Sequence, residues 1–133
     1  MSKLLARAKA KKFNVENSFN FMSLDDAYID ECCFNLQQAI EFSLKYLVEI
    51  NGENYIENHD IRAQLNKLKK MDKYIPCEEK LRLLASTINS WEVETRYNDN
   101  FVALYEDIVE VKEIMNQLIT YCESLTTYTE IEE

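Results

Sequence analysis

The chain has 133 residues, 47% of them hydrophobic, which suits a single packed core and excludes a disordered polypeptide. One glycine and one proline are too few for the turns of an all-β domain, so the composition points to long helices. The formal net charge is −9, and five basic residues (Lys3, Arg7, Lys9, Lys11, Lys12) stand in the first twelve, so the remainder carries 10 basic and 24 acidic residues, or −14. A body that acidic repels a phosphate backbone, and any nucleic-acid contact needs a local basic patch.

In chain order, a first helix is expected over roughly 2–22, interrupted near Asn14–Asn17. Its start, "MSKLLARAKAKKF", is basic but lacks the apolar stretch of a signal peptide, and its few serines speak against a transit peptide. Lys9, Lys11 and Lys12 are the basic residues here that could face RNA or a partner. The plainer reading is a solvated helix face. Asp25 and Asp26 mark the N-terminal turn of a second helix, which should stop at Asn51–Gly52. Cys33, Leu36, Ile40, Leu44 and Leu47 lie on one side of it, Ala39, Phe42, Tyr46 and Ile50 on another. A helix apolar nearly all round is central or also packs on a second subunit, so a homodimer is expected. Gln37 and Gln38 sit among those apolar neighbours, and at least one should make a buried or intersubunit hydrogen bond.

A loop leads to a short amphipathic helix, "HDIRAQLNKLKKM", with Ile61, Leu65 and Leu68 inward. After a connector around Pro76, a fourth helix starts near Glu78 and presents Leu81, Leu84, Ile88, Trp91 and Thr95 on one face. Arg96 near its end follows Glu92 by four residues, the spacing and order of a helix ion pair. Asn98, Asp99 and Asn100 then read as turn and N-cap residues of a fifth helix. That helix carries Phe101, Leu104, Ile108, Val111, Met115, Leu118, Cys122 and Leu125 at alternating steps of three and four, a bundle seam. The expected fold is an all-α, up-and-down bundle of about five helices, with Trp91, Ile88, Leu44, Leu47, Ile108 and Met115 buried. Its segments are a basic N-terminal helix at 1–23, the bundle at 24–126 and a frayed acidic tail at 127–133.

No apolar run is long enough to span a membrane. The four cysteines form no CxxC pair and there is one histidine, so neither a metal site nor a cofactor is expected; reduced, mostly buried thiols in a cytoplasmic protein are.

The segments "CCFNLQQAIEFSLKYLVEINGE", "HDIRAQLNKL" and "LRLLASTINSWEVETRYND" together resemble the HEPN domain. The features that carry the resemblance are Cys33–Phe34, Gln37–Gln38–Ala39, Glu41, Leu44–Lys45, His59–Asp60–Ile61 and Arg96–Tyr97, over roughly residues 24–125. The resemblance implies a dimerising helical bundle. It also implies the company of toxin–antitoxin pairs, in which HEPN members act as metal-independent ribonucleases beside a nucleotidyltransferase-fold partner. The nuclease members carry an arginine followed, after four to six residues, by a histidine: one group to stabilise phosphorane charge and one to move a proton.

Arg96 matches that arginine, but the histidine's place falls on Phe101, Val102 or Ala103, none of which can transfer a proton. His59 reads as structural or exposed, with proton shuttling as the alternative. The function expected is therefore a non-catalytic, dimeric HEPN-type interaction module, part of a toxin–antitoxin-like pair. The alternative is a divergent ribonuclease using Arg96 with Tyr97, Asn98 or Asn100, with RNA as the partner. A nucleotide-binding bundle is weaker still, since the chain has no phosphate loop.

Overall fold

The computed structural model describes residues 2–132, with side chains described through Thr126. Five helices follow one another: α1 (Leu4–Phe21), α2 (Asp26–Ile50), α3 (Ile61–Lys70), α4 (Glu78–Tyr97) and α5 (Tyr105–Glu132). Among the described residues there is no strand, and no helix is long and apolar enough to cross a membrane.

α2 is the central element, and α1, α3, α4 and α5 all pack against it. Its start is fixed by Asp25, whose extended backbone lets the carboxylate accept from the Ala27 N–H at 2.8 Å. Its end is fixed by Gly52, whose φ of 89° lets the chain turn away where a side chain would strain the backbone. Cys33, Leu36, Ala39, Ile40, Leu44 and Leu47 are buried, and Phe42, Tyr46 and Ile50 half-buried. The circumference that suggests a second subunit in the sequence is covered within the chain, chiefly by α1.

The other helices supply the facing stripes. Leu81, Ala85, Ile88 and Trp91 of α4 and Ile108, Val111, Met115, Leu118 and Cys122 of α5 are all buried. Ile61, Leu65 and Leu68 of α3 close one side of the core. Cys32, Cys33 and Cys122 are buried free thiols, and Cys77 is half-buried.

Three boundaries differ from the sequence reading. α1 runs unbroken through Asn14–Asn17, because Val15 is buried against the bundle and Ser18 Oγ donates to the Asn14 carbonyl at 2.7 Å. α3 begins at Ile61, with Asp60 as its N-cap, so His59 stands in the preceding loop and not in the helix. α5 begins at Tyr105 instead of Phe101. Asn98 ends α4, its N–H bonding the Glu94 carbonyl, and its own carbonyl accepts from the Phe101 N–H at 3.1 Å. Asn98–Asn100 therefore close α4 and do not cap α5. Leu104 is exposed, so the buried part of the seam starts at Ile108. The frayed tail expected at 127–133 falls on side chains outside those described.

Candidate functional site

Arg96 lies in the last turn of α4, where the sequence spacing already pairs it with Glu92. Its Nε donates to the Glu92 carbonyl at 2.8 Å and its Nη2 to Glu92 Oε1 at 3.3 Å. The guanidinium also lies over two rings, 5.3 Å from the Phe34 centroid and 5.3 Å from that of Tyr97. Lys11 of α1 approaches Phe34 as well, at 5.7 Å. Stacking on Phe34, from a different helix, gives this arginine a defined plane as well as a salt bridge.

A second group of charges lies on α2. Glu41 is a carboxylate with only 4% of its side chain exposed, and it is the hub of a polar network. Gln37 Nε2 donates to its Oε1 at 3.0 Å, and Lys45 Nζ, itself nearly buried, lies 3.4 Å from its Oε2. His59 Nδ1 is 2.9 Å from the same Oε1, and because an ionised carboxylate can only accept, that nitrogen carries the proton. Gln37 Oε1 is buried without a partner. Exchanging the amide oxygen and nitrogen would set two acceptors against each other, so the amide is held in this orientation. Lys45 also lies over the Tyr55 ring at 5.1 Å, beside a hollow of about 200 Å³ lined by Lys45, Tyr55, Glu57, Asn58 and His59.

Glu92 joins the two groups. Its Oε1, which takes the Arg96 contact, is 3.7 Å from His59 Nε2. Two residues far apart in sequence thus meet through one carboxylate. The sequence singles out both without placing them together, and it misses Glu41 and Lys45 as members of the cluster and the reach of Glu92 to His59. The spacing that could have found them is Gln37–Glu41–Lys45, three polar residues one turn apart on an otherwise apolar helix.

The remaining candidates go elsewhere. Asn98 Nδ2 donates to Glu94 and its Oδ1 accepts the Asn100 N–H at 3.0 Å, so both asparagines hold the turn. Tyr97 is exposed. Lys9 is 3.6 Å from Glu123 of α5 and Lys12 is half-buried, so the basic run partly answers acids of its own chain. Among the described residues, no three His, Cys, Asp or Glu side chains are grouped to hold a metal ion.

One end of the bundle is apolar. Phe21, Leu24 and Tyr28 at the α1–α2 turn and Val102, Leu104 and Tyr105 at the α4–α5 loop are all exposed. The two segments touch: Phe19 stacks on Tyr105 at 6.2 Å, and Met22, Ser23, Ile29, Ala103, Tyr105 and Ile108 line a common hollow of about 200 Å³.

A family model described as HEPN domain matches residues 1–128. The structure is similar to a crystal structure of TT1696 from Thermus thermophilus, with a TM-score of 0.63 and 21% sequence identity over 94% of this chain and 99% of that one. At that identity the likeness shows the fold alone. No curated protein matches.

Proposed function

This chain belongs to the HEPN domain family, and from that premise we propose that it is a non-catalytic member: a dimeric interaction module of the cytoplasm, with a nucleotidyltransferase-fold protein as partner in a toxin–antitoxin-like pair. The observation that carries the reading is the apolar end of the bundle. Other exposed apolar side chains are scattered, as on any surface, whereas these six gather where two connections meet, as in a docking patch. The occupant proposed is a second copy of the chain. Leu104→Asp should leave the fold unchanged, since that side chain is 66% exposed. Light scattering at micromolar concentration should give a dimer for the wild type and a monomer for Leu104→Asp. A monomeric wild type would overturn the dimer.

The charge cluster supports the non-catalytic half. Metal-independent RNA cleavage needs a group free to move a proton and a cation free to meet phosphorane charge. Arg96 is bound to Glu92, His59 faces Glu41 and Glu92, and Phe101, Val102 and Ala103 occupy the motif positions. The acidic body adds repulsion toward a polyanion, and the four free thiols suit a reducing compartment. Purified protein incubated with total RNA in a chelator should leave it intact. Cleavage that Arg96→Ala abolishes would establish the ribonuclease instead.

A further inference from the structure

A trough of about 510 Å³ runs beside α5, walled by Tyr74 and Pro76 of the α3–α4 connector on one side and by Glu113, Gln117, Thr120 and Ser124 on the other. Gln117 ties the walls together: its Oε1 accepts from the Cys77 thiol at 3.0 Å, and its Nε2 donates to Glu113 Oε1 at 3.1 Å. The trough is therefore formed before anything enters it, which spares an occupant the cost of ordering it. The Tyr74 and Tyr121 rings meet edge to face, with centroids 5.3 Å apart and planes at 78°. Two rings so disposed make an apolar corner, and Tyr74, 68% exposed, leaves that corner open to solvent.

Shape and polar groups together select an occupant. Glu113 and Ser124 are about 16 Å apart along the helix, the length of about five residues of polyproline II. Such a segment makes no internal hydrogen bonds, so its carbonyls can accept from the hydroxyls of Tyr74, Thr120 and Tyr121. Asn116, half-buried in the same trough, has its Oδ1 unpaired, and a turn of that amide would gain a peptide N–H. A pyrrolidine ring is rigid, so seating one in the tyrosine corner costs little entropy. An α-helix as occupant would need an apolar stripe here, and α5 presents a glutamate, amides and hydroxyls instead. Charge fixes one end of the occupant. Glu106, Glu110 and Glu113 recur at steps of four and three on one exposed face leading into the trough. None of the three is paired with a cation among the described residues.

We propose that this trough docks a proline-rich segment of a partner protein, extended as polyproline II, with prolines against Tyr74 and Tyr121 and a basic stretch against Glu110 and Glu113. The surface shares no residue with the apolar end of the bundle, so the inference stands apart from the dimer.

The test is fluorescence anisotropy with a labelled peptide carrying three arginines followed by prolines at every third position, the period of polyproline II. The wild type should bind it saturably in the micromolar range, and should bind the same peptide with alanines for prolines about tenfold more weakly. Tyr74→Ala should lower affinity about tenfold, the loss of one aromatic wall. Its circular dichroism should be unchanged, because that side chain stands mostly in solvent. Glu113→Gln should weaken binding about threefold, and only for peptides that keep the arginines. Binding that ignores the prolines, or that survives Tyr74→Ala at full strength, would overturn the proposal, as would no saturation at millimolar peptide. A wild-type dimer that Tyr74→Ala dissociates in light scattering would give the trough to a second copy and overturn it too.

Discussion

Glu41→Ala is expected to lower the unfolding free energy by about 3 kcal/mol, a large share of what a domain of this size holds. The carboxylate accepts from Gln37, His59 and Lys45 at 3.0, 2.9 and 3.4 Å. Removing it strands the Lys45 ammonium, whose side chain is only 10% exposed, and leaves Gln37 with neither end of its amide paired. Breaking a buried pair from one side typically costs about 3–5 kcal/mol. The lower end applies here, because Lys45 keeps its contact with the Tyr55 ring and lines the neighbouring hollow, into which water can enter. The pair itself need not be stabilising against an apolar alternative. Glu41→Leu combined with Lys45→Met should therefore recover most of the loss. Urea denaturation of the wild type and these variants measures this, and a loss under about 1 kcal/mol in Glu41→Ala would mean that water already screens the cluster.

That contrast bears on why the cluster is there. An apolar core at these positions should be nearly as stable, so stability alone does not explain a buried glutamate, a nearly buried lysine and an unpaired amide oxygen together. What the cluster does is fix the direction of one exposed histidine. Nδ1 is anchored inward and Nε2 is turned toward α4, where Arg96 and Glu92 stand. The network converts a loop residue, which would otherwise sample many rotamers, into a placed one.

The helices are legible where apolar spacing and burial coincide. α4 begins at Glu78 as its spacing predicts, and of its stripe Leu81, Ile88 and Trp91 are buried while Leu84 and Thr95 are half-buried. Spacing misleads at the start of α5, because Phe101 and Leu104 continue the seam's rhythm while lying in the connection before the helix. Periodicity records where apolar residues recur and not whether the backbone between them is helical. Phe101 is half-buried from a loop, and Leu104 is outside the core altogether. The break expected at Asn14–Asn17 fails for the opposite reason: polar residues of low helix propensity are overridden by the packing of Val15 and Ala8 in the core.

The site is half legible. Arg96–Glu92 is a local pair and follows from helix geometry alone. The meeting of His59 with Glu92 and Glu41 depends on how the α2–α3 loop folds back between α2 and α4, which no local pattern encodes. The cover of α2 escapes the sequence for a related reason. Treating the basic segment 1–23 as separate from the bundle leaves α1 out of what buries α2, and α1 is its main neighbour.

The last expectation concerns alkaline pH, and its effect should be the steepest. Cys32, Cys33 and Cys122 are fully buried, and burial is the first cause raising the pKa of each thiol. Cys32 is pushed up from 9.0 to about 11, a Ser18 hydrogen bond and Lys112 offsetting part of the rise. Cys122 is pushed up to about 12, with Glu123 adding to burial, and Cys33 is likewise raised, with Cys32, Asp30 and Asp107 adding. A group whose folded pKa exceeds its unfolded one contributes stability that is fully present below the unfolded value. That contribution is lost as pH climbs toward the folded value, since the unfolded chain releases the proton first. The window therefore opens near 9.0 and runs to about 11 for Cys32 and about 12 for Cys122. Within it each protonated thiol contributes a slope of about 1.4 kcal/mol per pH unit, so three acting together give about 4. A domain of ordinary stability would unfold within about one to four such units. Urea midpoints should be flat to about pH 8 and then fall, and Cys122→Ala should start lower but fall less steeply by about a third. Tyrosine and lysine titration is shared by both proteins, so the difference in slope isolates the thiol. Equal slopes would mean that Cys122 ionises as readily in the folded chain as in the unfolded one, and that its burial carries no linkage at all.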